Sequence, residues 1–566
     1  MAIENLITEH IDIWTSAVKS KSTSGRGSSK KLELYGVKKL RELILELAVR
    51  GKLVPQDSSD EPASVLLERI AKEKAQLVKE QKIKKPKVLS EISDEQKPFD
   101  LPSGWSVARI GNLTNIVYGK GLPNSKLTEE GYTVFGANGV IGKYEIYLYE
   151  KPQLLVSCRG AYSGKPNISP EYCFVTSNSL VLESEWSHLS LMYIYYALSI
   201  ADKSEIVTGS AQPQVTTTNL ETFIIRIPPL NEQHRIVAKV DELMALCDQL
   251  EQQTEASIEA HQVLVTTLLD TLNNSADANE LMQNWARISE HFDTLFTTEE
   301  SIDQLKQTIL QLAVMGKLVP QDPSDEPAAE LLKRIAGEKA QLVKEKKIKK
   351  QKALPPIAED EKPFELPSGW EWCRLEDVVD IQSGITKGRK LAGRELKTIP
   401  YLSVANVQRG YLILNNVKEI DLPIDELEKY SVEDGDLLIT EGGDWDKVGR
   451  TAIWRSEVPY MAHQNHVFKA RPFLKEQSEA WLEMYLNGPF ARKYFAGSSK
   501  QTTNLASINK TQLRSCLIAV PPRDEKKEIS DRVQELIGMC DLLLEGIRAS
   551  LQTQLQLTDV IVDQAV

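Results

Sequence analysis

Two groups of polar and basic side chains, placed between short apolar runs, have the hydrogen-bonding chemistry that nucleic-acid readers use. Arg and Lys can reach guanine or phosphate, Asn and Gln can pair with adenine, and Ser and Thr can serve either. Any one of these residues alone is more often simply solvated, but because the two groups occupy corresponding parts of the two halves of the chain, binding and ordinary solvation both remain open for the set. The candidates in the first half are Tyr118, Lys120, Asn124, Arg159, Tyr162, Ser163, Lys165, Gln212, Gln214, Thr216, Thr217 and Asn219. The candidates in the second half are Thr386, Lys387, Arg389, Lys390, Asn406, Lys447, Arg450, His463, Gln464, Asn465, Lys500, Gln501, Thr502, Thr503 and Asn504.

The second group also contains two weak indications of catalysis. The acidic run GDWDK at 443–447 could hold a metal ion, but the corresponding loop of the first half, CRGAYSGK, has no carboxylate. His463 and His466 have a possible ligand spacing, yet no Cys or Glu cluster accompanies them, which favours hydrogen bonding. We therefore expect no metal site.

The motifs of the enzymes that modify or cut DNA are missing from the sequence. Adenine methyltransferases need a [DN]PP[YF] motif, whereas both Pro-Pro pairs here lie in IPPL and VPPR. There is no GxxxxGK[ST] phosphate loop, no persuasive Gly-rich cofactor turn and no CxxC pair. The sequence thus predicts a reader with no catalytic, cofactor-binding or metal-binding residues of its own.

An internal repeat places the two groups of candidates. Residues 47–57, LAVRGKLVPQD, return 265 positions later as LAVMGKLVPQD, and the same offset carries LPSGW at 101–105 onto its second copy. Residues 227–250, which contain the first Pro-Pro pair, have a similar sequence 293 positions later. A duplicated chain presents two similar surfaces related by a pseudo-two-fold axis. Two similar surfaces indicate a bipartite ligand.

The middle of each copy has the pattern of an α/β domain. The runs YTVFGANGV, QLLVSCRG, TIPYLSVANV and DLLITEGG predict strands, and LSLMYIYYALS and SEAWLEMYLNG predict helices. Between shared positions the two copies differ freely, so one framework carries two sets of loops. The shared positions pair Gly119 with Gly384, LLVS with LLIT, Gly164 with Gly449 and Asn178 with Asn465.

A long helix is predicted to follow each middle domain. Asn231 to Leu272 contains no Gly or Pro, and Asp524 to about Gln564 matches it. Two such helices would pair antiparallel, and each would span on the order of 60 Å. The predicted fold is α/β, with two α/β domains separated by long antiparallel coiled-coil helices in a pseudo-two-fold repeat. The predicted seam is Ile236, Val240, Leu243, Cys247, Leu250, Thr254, Ser257, His261, Leu264, Leu268 and Thr271.

Charge is distributed unevenly along the chain. Residues 231–304 hold 15 Asp and Glu against 3 Lys and Arg, which accounts for the whole net charge of −12. The middle domains are therefore close to neutral and can bind a phosphate backbone through a local basic face. Helices predicted over Ser64 to about Lys85 and Ala328 to about Lys350 end in lysine runs. These runs either contact phosphates or form solvated, frayed helix ends.

Size and composition fit a large protein without a membrane segment. A chain of 566 residues suggests about four folded regions, and its longest apolar stretch, 191–200, is too short to span a bilayer. The N-terminus lacks the character of a signal peptide, and the six cysteines form no CxxC pair. We expect a soluble, cytoplasmic protein with reduced, mostly buried thiols.

The chain resembles the specificity subunit of type I restriction–modification enzymes. The residues that carry the resemblance are the duplicated GKLVPQD block, the LPSGW that opens each middle domain, and PPLNEQHRI and PPRDEKKEI before the long helices. The resemblance covers nearly the whole chain. It implies that each middle domain is a target-recognition domain for one half of an asymmetric DNA site, with the helices setting the spacer. The implied regions are an N-terminal segment and linker (1–30), a helical region (31–97), recognition domain 1 (98–229), a central region (230–362), recognition domain 2 (363–522) and a C-terminal helix (523–566).

The resemblance also implies partners. These are double-stranded DNA, two methylation subunits that bind S-adenosylmethionine, and, in the full complex, two restriction subunits that use ATP and Mg²⁺. The contact residues are not fixed by a motif, so our candidates rest on loop chemistry. The alternative is a coiled-coil scaffold that assembles proteins without reading DNA, which the near-neutral domains and the acidic connector keep open.

Overall fold

The chain folds into two compact units. Unit 1 comprises Met1–Ile258 and Ser550–Val566, and unit 2 comprises Glu259–Ala549. The structure is a computed structural model that describes residues 3–21, 31–97, 101–184, 187–209, 212–276, 278–443, 447–498, 500–502 and 505–566. Most of the predicted Ser/Gly/Lys linker, Ser22 to Lys30, lies outside the described residues.

Unit 1 begins with a helical block, continues through a mixed α/β domain and ends in a long helix. Its helices are α1 Ile3–Glu9, α2 Ile11–Ser16, α3 Tyr35–Val49, α4 Ala63–Lys79, α5 Ile110–Leu113, α6 Leu191–Ile200, α7 Thr217–Thr222 and the first part of α8 Leu230–Asn273. Its strands are β1 Lys19–Lys21, β2 Lys31–Glu33, β3 Ser106–Arg109, β4 Asn115–Tyr118, β5 Tyr132–Phe135, β6 Val140–Tyr144, β7 Leu154–Ser157, β8 Pro166–Ile168, β9 Cys173–Val175, β10 Ser179–Glu183 and β11 Ile224–Ile227.

Unit 2 repeats this order. Its helices are α9 Ala278–Glu290, α10 Phe292–Leu295, α11 Glu299–Val314, α12 Ala328–Lys344, α13 Leu375–Val378, α14 Leu427–Tyr430, α15 Glu479–Asn487, α16 Pro489–Ser498, α17 Lys510–Ser515 and most of α18 Arg523–Ala565. Its strands are β12 Glu371–Arg374, β13 Val379–Ser383, β14 Leu396–Leu402, β15 Lys418–Pro423, β16 Leu437–Thr440, β17 Gly442–Gly443, β18 Thr451–Ile453, β19 Ala462–His463, β20 Val467–Pro472, β21 Lys500–Thr502, β22 Leu505–Ser507 and β23 Leu517–Val520.

The sheets of the two units have the same topology. The four-stranded sheet β4-β10-β7-β8 of unit 1 corresponds to β13-β20-β16-β18 of unit 2, and β6-β5-β9 corresponds to β15-β14-β19. In each three-stranded sheet the last pair, β5 with β9 and β14 with β19, is parallel. The predicted α/β class and the predicted repeat are confirmed.

A glycine and a tryptophan join the parts of each unit. Gly316 follows α11 at φ +68°, and a Cβ there would lie 2.6 Å from Cγ of Pro367 and 2.8 Å from the Trp370 ring. Gly51 has the same position over Pro102 and Trp105 in unit 1. The GKLVPQD and LPSGW repeats therefore meet in space. Trp370 Nε1 also donates to Glu525 of α18, at 3.0 Å.

Each unit contains the first part of one long helix and the last part of the other. Helix α8 has 44 residues and α18 has 43, as predicted to within two residues. Equivalent ion pairs join the helical block of each unit to a long helix: Arg41 of α3 pairs with Asp248 of α8 at 2.7 Å, and Lys306 of α11 pairs with Asp541 of α18 at 2.5 Å.

The predicted seam of α8 is correct in its first half and wrong by one residue in its second. The seam residues Ile236, Val240, Leu243, Cys247 and Leu250 are buried as expected, but Leu264 and Thr271 are exposed, and Val265 and Leu272 are buried instead. The buried stripe thus recurs every 3.6 residues, the period of a straight α-helix, rather than every 3.5.

The lysine runs after α4 and α12 lie outside any helix, contrary to prediction. Both helices end six residues early, where Gln81 and Lys346 take positive φ angles of 56° and 60°. The following segment of unit 2 is held by a buried guanidinium, since Arg374 Nε donates to the Pro355 carbonyl at 3.2 Å. Arg109 binds the Ser90 carbonyl in the same way at 3.0 Å. The segments that follow the runs are thus held in place, whereas the lysines of the runs themselves are exposed.

One main apolar core runs through each unit. In unit 1 it includes Leu40 of the helical block, Leu182 of the α/β domain and Val240 of α8. The regions that we separated in the sequence therefore share a core. All six cysteines are buried and free, as predicted. Among the described residues no helix is long and apolar enough to cross a membrane.

We expect Gly316→Ala to lower the free energy of unfolding by about 1–3 kcal/mol, because alanine is strained at this φ and its Cβ would collide with Pro367. Urea unfolding monitored by tryptophan fluorescence measures this. Gly337→Ala is the matched control, since Gly337 lies inside α12 with nothing within 4 Å of the added Cβ. Alanine there should stabilise by about 0.5–1 kcal/mol. Equal effects of the two variants would contradict the proposed junction.

Candidate nucleic-acid interface

In unit 1 the central buried strand β7 leads into a tight polar loop. All four residues of β7 are buried, and the loop closes when Gly164 N donates to Ser157 O at 2.9 Å and Ser157 N donates to Lys165 O at 2.9 Å. Gly160 and Gly164 both take positive φ, which lets the chain turn sharply. Arg159, Tyr162 and Lys165 are exposed on this loop.

A second segment, distant in sequence, is hydrogen-bonded to the same loop. Val215 N donates to Cys158 O at 3.0 Å, and Ser163 Oγ donates to Pro213 O at 2.6 Å. Within this segment Thr208 and Gln214 exchange backbone hydrogen bonds and so lie side by side. Its exposed Gln212 and Gln214 lie beside the loop of Arg159.

A third segment completes this surface. Lys120 follows β4 and is bonded through its backbone to Val175 and Ser177, and Cys158 N donates to Asn178 O at 3.0 Å. The close crossing requires Gly119, where a Cβ would lie 2.2 Å from the Thr176 carbonyl oxygen. We call these segments, residues 118–120, 158–165, 177–178, 208–209 and 212–214, the loop surface of unit 1.

Unit 2 builds an equivalent surface with the same hydrogen bonds. Gly449 N donates to Thr440 O at 3.0 Å, Ile508 N to Glu441 O at 2.9 Å, and Ile385 N to His463 O at 2.8 Å. A Cβ on Gly384 would lie 2.2 Å from His463 O, as at Gly119. The loop surface of unit 2 comprises residues 385–390, 441–443, 447–450, 464–466, 500–502 and 505–508.

The two surfaces differ in the side chains that they carry. Arg159 is paired with Gln214 in unit 1, and Gly442 is paired with Ser507 at the equivalent place in unit 2. Unit 2 therefore has glycine where unit 1 has Arg159, and serine where unit 1 has Gln214. One pair of residues matched in the sequence is not equivalent in the structure. The strand pairing of the two units makes His466, not Asn465, the equivalent of Asn178.

Several basic candidates of unit 2 already have partners. Arg389 donates to Glu426 at 2.7 Å, and this bond, with a second from Arg394, holds the pKa of Glu426 below its usual value. Arg450 donates to Gln408 at 2.5 Å. Lys387 lies 5.0 Å above the Tyr401 ring and is exposed, as are Thr386 and Lys390. These bonds fix the guanidinium groups in orientation.

The structure speaks against two of the candidates as contact residues. Asn406 is buried. Its Oδ1 accepts a hydrogen bond from the Ser403 hydroxyl at 2.7 Å, and its Nδ2 donates to the Ile413 carbonyl at 2.8 Å, so it shapes a turn. His463 is fully buried in β19, with Nδ1 2.7 Å from the Val467 carbonyl oxygen. That bond requires Nδ1 to carry a proton, and burial lowers the pKa of His463 to about 4.

The remaining candidates differ in their structural roles and in their exposure. Thr216 caps α7 by accepting from Asn219 N at 3.2 Å, and Asn219 donates to the Ile206 carbonyl, so both have structural roles. Ser163 is buried and Thr217 is half-buried; Asn124 is exposed but lies in a turn that borders β6. Lys447, Gln464 and Asn465 are half-buried on the loop surface, and Tyr118 is exposed there. Lys500, Gln501 and Thr502 form β21, and Thr503 and Asn504 lie outside the described residues.

The two histidines that we considered as metal ligands have other hydrogen-bonding partners. Within the described residues no three His, Cys, Asp or Glu side chains are grouped as ligands. His463 binds a backbone carbonyl, and His466 Nδ1 lies 2.5 Å from a Glu441 carboxylate oxygen. Residues 444–446 of the acidic run lie outside the described residues.

Comparison with known proteins decides the family. The model named "Type I restriction modification DNA specificity domain" matches residues 102–260 and 367–553. The EcoEI and EcoAI type I restriction enzyme specificity subunits of Escherichia coli are 41% and 43% identical, over 100% of this chain and of each relative. The chain belongs to the family of type I restriction–modification specificity subunits. A crystal structure of the HsdS subunit from Thermoanaerobacter tengcongensis covers 83% of this chain and 98% of its own, at 16% identity and a TM-score of 0.39.

The family match follows the repeat seen in the structure. Each matched segment begins in the LPSGW motif, includes one α/β domain with its loop surface, and ends within a long helix. This specificity subunit therefore carries the DNA specificity domain twice.

Reasoning from the sequence missed the exposed apolar residues beside the loop surfaces. Val140 and Ile141 follow the β5–β6 turn of unit 1, and Tyr411 occupies a turn after β14 in unit 2. A signal was present, because Asn138-Gly139 between apolar runs is a strong indication of a tight hairpin.

We expect the second specificity domain to lose stability as the pH falls from 6.5 to 4. In the unfolded chain His463 takes up a proton near pH 6.5, whereas the folded domain resists protonation until about pH 4. The loss should reach up to about 3 kcal/mol at the acidic limit. His463→Val, which introduces the residue of the first copy (Val175), should reduce the slope of unfolding free energy against pH. An unchanged slope in urea titrations at several pH values would refute this role.

Proposed function

We propose that this chain is the non-catalytic DNA-reading subunit of a type I restriction–modification complex. Each loop surface contacts the major groove of one half of an asymmetric site, through residues 98–229 for one half and 363–522 for the other. The long helices set the spacer between the halves. Methylation of adenine and cleavage are carried out by partner subunits that bind S-adenosylmethionine, ATP and Mg²⁺.

The observation that carries this proposal is one hydrogen-bonded framework with different exposed side chains. The two units have different residues at matched positions: Arg159 corresponds to Gly442, and Gln214 corresponds to Ser507. Structural support alone does not require that difference. Base readout requires that variation, because each half-site presents a different pattern of donors and acceptors in the major groove.

The chain should be tested together with the methylation subunit of its own system by mapping N6-methyladenine in the host genome by single-molecule sequencing. Wild-type chain is expected to produce methylation at a split asymmetric motif. In Arg159→Ala with Gln214→Ala, the half read by unit 1 should become degenerate or lose about 10- to 100-fold in methylation rate, since a good base contact contributes about 1–3 kcal/mol. The other half should be unchanged.

Lys151→Ala is the matched control, because Lys151 is exposed but precedes β7, at the end opposite the loop. A stable complex that methylates no split motif would favour the scaffold alternative. Methylation by the chain alone would contradict the absence of catalysis.

Matched apolar positions on the long helices support binding of two methylation subunits. Leu246 of α8 corresponds to Met539 of α18, and Leu264 corresponds to Leu557; all four side chains are exposed. Unit 1 contains Leu246 and Leu557, and unit 2 contains Leu264 and Met539. Each unit thus presents one equivalent pair, which fits one copy of the same partner.

We expect Leu246→Glu with Leu557→Glu to reduce the number of bound methylation subunits from two to one, and the same change at Leu264 and Met539 to do likewise. A buried interface carboxylate without a partner is costly. Native mass spectrometry of the assembled complex gives the count. Val263→Glu is the control, since Val263 is exposed but its counterpart, Gln556, is polar. Two bound subunits in all variants would refute this assignment.

A further inference from the structure

Each unit displays exposed apolar side chains at the edge of its loop surface. In unit 1, Val140 is 62% exposed and Ile141 is 46% exposed, directly after the turn that joins β5 and β6. In unit 2, Tyr411 is 60% exposed in a turn that follows β14. Strands β5 and β14 are equivalent, because each pairs in parallel with the strand that enters the loop surface. The feature therefore occurs once in each copy.

Hydrogen bonds connect the turn of unit 1 to the polar loop. Ser157, the last residue before the loop of Arg159, donates through Oγ to the Ala137 carbonyl, and Ser179 Oγ donates to the Gly136 carbonyl at 2.8 Å. Ile141 lies over Gly136, where a Cβ would be 2.7 Å from Ile141 Cγ2. The turn that precedes the two apolar side chains is thus bonded to the end of β7, the strand that leads into the polar loop.

The turn of unit 2 is connected in an equivalent way. Gly410 N donates to the Thr451 carbonyl at 3.0 Å, and Gln408 N donates to the Tyr411 carbonyl at 3.0 Å. Arg450 of the polar loop also donates to the Gln408 side chain, at 2.5 Å. Tyr411 is therefore fixed beside the loop surface although its ring remains exposed.

We propose that Val140 with Ile141, and Tyr411 in the other unit, are specificity-determining residues that contact the C5-methyl group of thymine. This rests on the proposed function. A duplex offers few apolar groups to a protein in its major groove, and the thymine methyl is the one that aliphatic and aromatic side chains contact. Each half-site contains a thymine, because the adenine that is methylated pairs with one. The apolar side chains supplement the polar contacts by distinguishing thymine from cytosine.

Replacement of thymine by uracil tests this by removing only the methyl group. The probe is a duplex bearing the mapped motif, with uracil in one half at a time, and the dissociation constant of the complex with methylation subunits is measured at fixed salt by fluorescence anisotropy. Wild type should bind the duplex with uracil in the half read by unit 1 about 5- to 10-fold more weakly. Val140→Ser with Ile141→Ser should bind the thymine duplex about 10-fold more weakly and should no longer distinguish uracil from thymine in that half.

Two further variants complete the test. Tyr411→Ser should show the same pattern for the other half only, and it serves as an independent arm should the first variant fold poorly. Ile146→Ser is the matched control: Ile146 is 56% exposed but follows the far end of β6, away from the turn, and its affinity should equal that of wild type.

The inference is overturned if wild type binds thymine and uracil duplexes equally, or if the folded serine variants keep both affinity and discrimination. Either result with specific binding intact leaves the proposed function standing. Loss of all motif-specific binding by wild type would instead contradict the proposed function itself.

Discussion

The structure depends on a junction at which a glycine leaves room for a tryptophan. This tryptophan contacts the helical block, the α/β domain and the long helix of its unit. Gly316 ends the helical block at a positive φ and leaves space for Pro367 and Trp370, which open the α/β domain. Trp370 then binds Glu525 at the start of α18, a carboxyl whose pKa burial raises. The same residue types meet at Gly51 and Trp105. Because helical block, α/β domain and long helix share this contact, they share one core.

Each long helix is shared between the two units, and the sharing gives the repeat its symmetry. In unit 1, Lys52 donates to the carbonyl of Val566, which directly follows α18, at 2.5 Å. In unit 2, Lys317 donates to the carbonyl of Asn273, at the end of α8, at 3.2 Å. The two lysines and the two carbonyls are equivalent in the repeat. The end of each copy's long helix is therefore bonded to the helical block of the other copy.

The loop surfaces are free to vary because their backbone is fixed by hydrogen bonds that do not involve the exposed side chains. Gly119 and Gly384 allow two chain segments to cross closely, and backbone bonds join the remaining segments. Residues such as Arg159 or Ser507 can then be exchanged without loss of the framework. The stability of the loop backbone therefore does not depend on which exposed side chains the loops carry.

The sequence by itself determined the repeat, the α/β class and both long helices to within two residues. These follow from local patterns: Gly and Pro positions, apolar periodicity and matching blocks. Tertiary structure alone decided which candidates remain available. Asn406 and His463 are polar in sequence but buried, and Thr216 and Asn219 cap or support α7. It also decided the stripe of α8, where Val265 rather than Leu264 is buried, because a straight helix rotates away from a strict heptad. Burial and partner choice depend on residues far apart in the chain, and no local pattern contains that information.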